Sequence, residues 1–190
     1  TLSSSSAASD VYKRQPETIT YRDKITDLFG LNLVDKKPTT PKSLQKDASG
    51  KLMFTSDPDY CCHLNKVLPM DEALAEHDIW INGVRGDQSA VRKAMLVEQP
   101  APHDTLRFHP MLDWTSKMIY DYQKEFNLPK HELESQGYLS IGCEPCTRKF
   151  DLEMQEREAR WFGMNKTECG LHTALTVSYT HLTLPTKRIV

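Results

Sequence analysis

Apolar positions recur at helical spacing over Ile19–Phe29, where Ile19, Ile25, Leu28 and Phe29 are apolar and Gly30 follows as a stop. Leu31–Val34 then has the makings of a short strand. Asp35–Tyr60 is rich in Lys, Pro, Thr, Ser and Asp and predicts a long loop. Acidic residues open a short helix over Asp71–His77. An apolar strand follows over Ile79–Val84, a helix over Gln88–Val97 and a strand over Leu106–Met111. Thr115 is placed to cap a helix through Phe126. Pro129–Gln136 has a helical pattern stopped by Gly137, and Leu152–Trp161 predicts a charged, exposed helix. Strands alternating with helices predict an α/β fold with a parallel sheet. Three strand candidates make a thin sheet, and further strands are expected. There is no internal repeat and no low-complexity tract.

Composition narrows the class without identifying it. The 190 residues are 38% hydrophobic and 26% charged, with a formal net charge of −2. These values exclude general disorder, collagen and a coiled coil. No apolar run approaches the ~18 residues of a membrane span. Near-neutral charge gives no reason to expect nucleic acid as a partner, and no membrane partner is expected.

Both ends stand apart from this pattern. Ser5–Gln15 and Val177–Thr186 carry no hydrophobic period and no targeting features. Asp10–Gln15 can be encoded GAT GTG TAT AAG AGA CAG. The reverse complement, in another frame, contains GTC TCT TAT ACA CAT, which is Val177–His181. Extending outward, TCG TCG GCA GCG TCA gives Ser5–Ser9, and its complement continues into Leu182–Thr186, so ten consecutive codons match. One inverted DNA segment thus accounts for both tails. It resembles the adapter of a transposon-based sequencing library. Residues 1–15 and 177–190 are therefore expected to lie outside the fold, and 16–176 to be the natural domain. The tails hold Lys13, Arg14, Lys187, Arg188 and Asp10, so removing them turns 24 basic and 26 acidic residues into 20 and 25, a net charge of −5. A domain read into such a tail on both sides is expected to be truncated.

The chemistry lies in the cysteines. All five, Cys61, Cys62, Cys143, Cys146 and Cys169, fall within 16–176. They are too few for a disulfide scaffold. With no targeting segment, a cytoplasmic location is expected. Cys143-Glu-Pro-Cys146 is a CxxC, which suits zinc, redox or iron–sulfur chemistry. Adjacent residues such as Cys61 and Cys62 point to opposite faces of a strand but lie roughly 100° apart on a helix. They can share one metal centre only from a helix end or turn, and the preceding Pro, Asp and Tyr suit a helix start. Four thiolates fit a four-iron cluster or a four-cysteine zinc site. Cys169, in Glu168-Cys169-Gly170-Leu171-His172, is either a nucleophile or an idle exposed thiol.

Taken together, these motifs resemble the assimilatory sulfonucleotide reductases, the adenylyl-sulfate and phosphoadenylyl-sulfate reductases. The matching stretches are CCHLNKVLP (Cys61–Pro69), WINGVRGDQSAVR (Trp80–Arg92), HPMLDWT (His109–Thr115), GYLSIGCEPCT (Gly137–Thr147), REARW (Arg157–Trp161) and KTECGLH (Lys166–His172). Pro16-Glu17-Thr18 matches the segment leading into the substrate domain. The resemblance implies a partial Rossmann-like parallel sheet of the adenine-nucleotide alpha-hydrolase-like kind. It makes Cys61, Cys62, Cys143 and Cys146 the ligands of a [4Fe-4S] cluster, an arrangement that goes with adenylyl sulfate as substrate; phosphoadenylyl sulfate is the alternative. It makes Cys169, on the catalytic segment 161–176, the nucleophile that takes the sulfo group. Thioredoxin or a similar thiol reductant would then release sulfite. Lys66, Arg85, Arg157 and Arg160 fall on the family's substrate-binding cations.

Gln88, Ser89 and Arg92 open a helix whose N–H groups suit an anion, though Arg92 equally suits a helix surface. His172 is either a proton partner of Cys169 or merely ends the motif. Glu168 would raise the pKa of its neighbouring thiol, which calls for a compensating cation. Trp114 and Trp161 are expected to pack. Ala159 stands where the family usually has Gly, and Gly86 where a second Arg often follows. None of the eight glycines forms the family's Ser-Gly-Gly phosphate loop, so the first strands and that loop are expected to be missing, leaving little activity. A homo-oligomer is possible on these grounds. The non-enzymatic alternative is a zinc-binding interaction module built on the four paired cysteines, with Cys169 idle.

Overall fold

Gly30 takes φ 59° and ψ 40°, the left-handed conformation that closes a helix. Helix α1 (Pro16–Phe29) ends there, as the spacing predicts. The computed structural model describes residues 5–9, 15–154 and 157–173. Past Gly30 the chain enters strand β2 (Asn32–Lys36), against which β1 (Ser5–Ser9) pairs in parallel, Ser5 opposite Asn32 and Ser9 opposite Lys36. These five residues belong to the stretch expected to lie outside the fold, and a ladder of backbone hydrogen bonds can form without a hydrophobic period. Residues 177–190 lie outside the described residues.

The loop expected over Asp35–Tyr60 carries more structure than its composition predicts. Lys42 is buried in a 3-10 turn (Lys42–Leu44), Lys46 bridges Leu52, and α2 (Met53–Ser56) follows. Side chain–backbone contacts replace a hydrophobic period here: Asp47 Oδ1 accepts from the Ser49 and Lys51 amides, and Gln45 Nε2 donates to Thr40 O at 2.8 Å.

Asp57 caps α3 (Pro58–Cys62) by accepting from the Tyr60 amide at 2.8 Å, with Pro58 in the first turn. Cys61 and Cys62 therefore end a helix, the placement their adjacency requires. The chain then widens into a π turn, His63–Val67, before α4 (Leu68–Leu74). Single π turns of this kind recur at functional sites. This one aims Asn65 and Lys66 inward.

The main sheet has strand order β3 (Ile79–Ile81), β5 (Leu106–Phe108), β4 (Glu98–Pro100). β3 and β5 pair in parallel, with Trp80 opposite Arg107. The predicted parallel sheet is present in the β3–β5 pair, and β4 adds one antiparallel strand at its edge. It is the first arm of a local hairpin closed through Pro102–Asp104, where His103 and Asp104 adopt φ 61° and 58°. α5 is only Ala90–Lys93, shorter than expected. α6 (Ser116–Glu125) forms as predicted, with Thr115 Oγ1 accepting from the Met118 amide at 3.3 Å, and α7 (Glu132–Ser135) follows.

The helix expected over Leu152–Trp161 does not form among the described residues. The chain there folds back onto the CxxC loop instead: Arg148 N donates to Ala159 O and Trp161 N to Cys146 O, and Trp161 takes φ 54°. Amides used that way cannot close helical turns. No helix among the described residues is long and apolar enough to cross a membrane.

Candidate active site

Cys169 is buried at 8% exposure, against the end of α3. Lys66 Nζ donates to its sulfur at 3.6 Å, and Cys62 and the Leu171 amide lie close enough to act on it. The Cys62 hydrogen bond, with the Lys66 charge, pulls the Cys169 thiol down to about 5 against the opposing effect of burial. Cys62 moves the other way and keeps its proton, through that same hydrogen bond and through burial. Burial alone would weaken the Lys66 charge, but the sulfurs of Cys143, Cys169 and Cys62 around it raise its pKa above the ordinary lysine value. A cationic, partly desolvated setting is what makes a cysteine thiol reactive. Gly170 permits the close approach, since a Cβ there would stand 3.1 Å from Val67 Cγ2 and 3.6 Å from Cys62 Cβ. Lys166, its side chain almost wholly buried, anchors the same segment by pairing with Asp59 of α3.

Glu168 has the compensation its position calls for. Arg92 donates to it through Nε at 3.1 Å and NH2 at 3.2 Å, Arg157 NH2 at 3.1 Å and Ser89 Oγ at 2.6 Å. Burial would raise this carboxyl, but the Ser89 hydrogen bond and the two arginines hold it below the usual range. Its charge is thus neutralised before it reaches the thiol. Arg92 is a buried member of this network rather than a helix-surface charge.

The other four cysteines line one small cavity, together with Lys42, Lys66, Asn65, Phe54 and Pro58. All are free thiols and all are buried. Lys66, then Lys42, overcomes burial to lower the Cys143 thiol, whereas burial dominates at Cys61 and Cys146 and raises both. Among the described residues, no group of three or more His, Cys, Asp or Glu is placed to hold a metal ion.

Asn65 locks the π turn beside them, donating to Cys61 O at 2.7 Å and exchanging amide hydrogen bonds with Gln45. The CxxC loop is held by Thr147 Oγ1 donating to Cys143 O at 2.8 Å and by Arg160, which donates to Cys146 O at 3.3 Å and Ile141 O at 3.2 Å. Gly142 makes room for that guanidinium, which a methyl group would overlap.

The four predicted binding cations are therefore spread. Lys66 touches the thiol and Arg157 reaches it through Glu168. Arg160 braces the CxxC loop and stacks on Trp161 at 4.5 Å. Arg85 is engaged by Asp87 at 3.0 Å and Ser116 at 2.8 Å. Trp161 packs, buried with Cys143, Cys146 and Cys169, and Trp114 meets Tyr122 edge-on at 5.2 Å. Buried cations that the sequence analysis did not single out include Lys42 and Arg107. Lys42 sits in a polar stretch with no distinguishing signal. Arg107 carried one: a lone charge inside a strand, between Leu106 and Phe108.

His172 accepts from Arg107 at 2.6 Å through Nδ1. Burial, then the Arg92 and Arg107 charges, push its pKa down to about 3. An unfolded His takes its proton near 6.5, so over the range between, the unfolded chain binds more protons and stability falls as pH falls. From pH 6.5 to pH 5 the expected loss is roughly 1.5 kcal/mol, or about 3–6 °C in melting temperature. His172→Gln removes this part of the slope. Parallel melting curves for both proteins over that range would contradict it.

The sequence pattern of the phosphoadenosine phosphosulfate reductase domain matches residues 9–149. The chain belongs to this family. It is 38% identical over 163 residues to an adenosine 5'-phosphosulfate reductase of Bacillus velezensis, covering 85% of this chain and 69% of that protein. It is 37% identical over 158 residues to the enzyme of the same name from Bacillus cytotoxicus, covering 82% and 68%. Among solved structures it resembles the phosphate complex of phosphoadenylyl-sulfate reductase from Candida auris, with a TM-score of 0.64 at 24% identity over 78% of this chain and 73% of that one. That likeness supports the α/β nucleotide-binding fold. The matched pattern ends before Arg157, Arg160 and Cys169.

Proposed function

We propose that the chain is a sulfonucleotide reductase that takes adenylyl sulfate to sulfite and AMP. The observation that carries the proposal is Cys169: a buried thiol that faces the Lys66 ammonium at 3.6 Å and has its neighbouring carboxylate neutralised by Arg92 and Arg157. The thiolate attacks the sulfur of the sulfate group. The S–Sγ bond forms as the bond to the bridging oxygen breaks, and AMP leaves with that oxygen. The enzyme keeps an S-sulfocysteine. A reductant thiolate then attacks Cys169 Sγ, sulfite leaves, and the second thiol of a dithiol such as thioredoxin resolves the mixed disulfide. Two electrons pass from the dithiol to sulfur.

Cys61, Cys62, Cys143 and Cys146 would hold a [4Fe-4S] cluster. The donor set fits: four buried thiols around one cavity, no carboxylate among the lining residues, and two lysines to balance thiolate charge. When bound, such a cluster ties the end of α3 to the CxxC loop and sets the electrostatic field around Lys66. Lys66 lies between the cavity and Cys169 and so belongs to both.

The names of the Bacillus relatives and the four-cysteine set support adenylyl sulfate; the family description and the Candida auris enzyme favour phosphoadenylyl sulfate as the second reading. The test incubates the anaerobically purified chain with each nucleotide, without reductant, and maps adducts by mass spectrometry. One SO3 group on Cys169 is expected in a single slow turnover, in keeping with the little activity expected of this chain, and faster from adenylyl sulfate, with no adduct in Cys169→Ser. A faster reaction with the phosphorylated nucleotide selects the second reading. No adduct from either nucleotide, while Cys169 is still alkylated by iodoacetamide, would overturn both.

A further inference from the structure

Arg107 is the most deeply buried charge in the described structure, at 0% exposure in the middle of the central strand β5. Alternation along β5 puts it on the face opposite Leu106 and Phe108, beside its ladder partner Trp80, and its guanidinium stacks over that ring at 4.1 Å. No carboxylate pairs with it among the described residues. Its donors go instead to the thiol-bearing segment: NH1 to Leu171 O at 3.2 Å and NH2 to His172 Nδ1 at 2.6 Å.

Two features of this contact are specific. The Leu171 carbonyl accepts from Arg107, and the His172 amide closes the same turn onto Cys169 O at 2.8 Å, so one short turn links the guanidinium to the thiol-bearing residue. An arginine can only donate, so His172 Nδ1 must accept and the ring proton sits on Nε2. Burying an unpaired guanidinium costs stability. A core that needed only packing would be served better by a Leu or Met on that face.

We propose that Arg107 is a positioning residue: it docks the segment 169–173 on the sheet and holds His172 in its Nε2–H form, so that Cys169 meets Cys62 and Lys66. This rests on Cys169 as the reacting thiol, but docking is testable whether or not a nucleotide reacts.

The test compares the full chain with Arg107→Met and Arg107→Lys. Hydrogen exchange is followed at the amides of His172 and Thr173, which close the turn onto Cys169 O and Gly170 O. In Arg107→Met these are expected to exchange at least about tenfold faster, while the β3–β5 amides stay slow. The His172 nitrogen NMR signals are expected to leave the single Nε2–H pattern for averaged tautomers. Arg107→Lys, which keeps a charged donor, restores part of both. Sulfo transfer to Cys169 slows in Arg107→Met at saturating nucleotide, with the half-saturating concentration unchanged. If Arg107→Met does not fold, His172→Leu carries the test, with the same acceleration expected. Exchange that rises equally in β3, β5 and 169–173 would mark Arg107 as a core residue only. Unchanged exchange and an unchanged His172 signal would overturn the proposal, and a failure of both nucleotides to react would count against the enzymatic assignment alone.

Discussion

Lys66→Met is expected to leave Cys169 protonated at neutral pH. Lys66 Nζ lies 3.6 Å from the sulfur, in a pocket where burial works against the thiolate. With the ammonium present the thiol sits at about 5 and is essentially all thiolate at pH 7. Without it, desolvation is opposed mainly by the Cys62 contact, and the midpoint is expected back near the ordinary thiol value of about 8.5. At pH 7 the thiolate fraction, and with it the alkylation rate relative to its own high-pH plateau, then falls about 30-fold. The measurement is the pH profile of iodoacetamide reaction at Cys169, read by mass spectrometry. The unsubstituted chain should be on its plateau by pH 7, whereas Lys66→Met should still be rising at pH 9. Coincident profiles would show that Cys62 and the Leu171 amide suffice, and Lys66 would lose its assigned role.

The second large effect concerns the network around Glu168. Its carboxylate side chain is 3% exposed and Arg92 only 10%, so neither charge has water to fall back on. Removing one partner of a buried ionic cluster leaves the other uncompensated, and Arg92→Met is expected to destabilise the protein by about 3 kcal/mol or more. For a chain of this size that lowers the melting temperature by about 6–12 °C. Arg157, which shares Glu168 Oε2 with Arg92 at 3.1 Å, limits the loss without replacing the two hydrogen bonds from Arg92. The discriminating experiment is a double-mutant cycle. Arg92→Met should cost clearly less in a Glu168→Gln background than alone, because no carboxylate charge is then stranded. Equal costs would mean that Arg92 acts through packing of its stem.

Local signals were legible where one residue decides a conformation. Gly30 closes α1 through its left-handed backbone, and Thr115 caps α6 with its own hydroxyl. The adjacency of Cys61 and Cys62 required a helix end, and α3 supplies one. Signals failed where distant backbone competes for hydrogen bonds. The segment after Leu152 has helical composition, yet its amides and carbonyls pair with the CxxC loop. Lys42 sits in a stretch that composition assigns to solvent, yet it is buried beside Cys61 because residues far along the chain close over it.

The sequence by itself determined the inventory and the class: an α/β chain, four cysteines in two close pairs, a fifth beside a glutamate, and the motif order of a sulfonucleotide reductase. Spacing carries the cysteine inventory, because adjacency and short loops restrict which side chains can converge, and the motif order is carried by resemblance to the family. Only the tertiary structure decided the partnerships. It joined Glu168 to Arg92 and Arg157, set Lys66 between the cysteine cavity and Cys169, and brought Arg107 under His172. Each of these contacts spans from eleven to more than a hundred residues of chain. A charge reads as solvated in sequence until the fold places a neighbour against it and takes the water away, and both the neighbour and the desolvation are properties of the packed molecule.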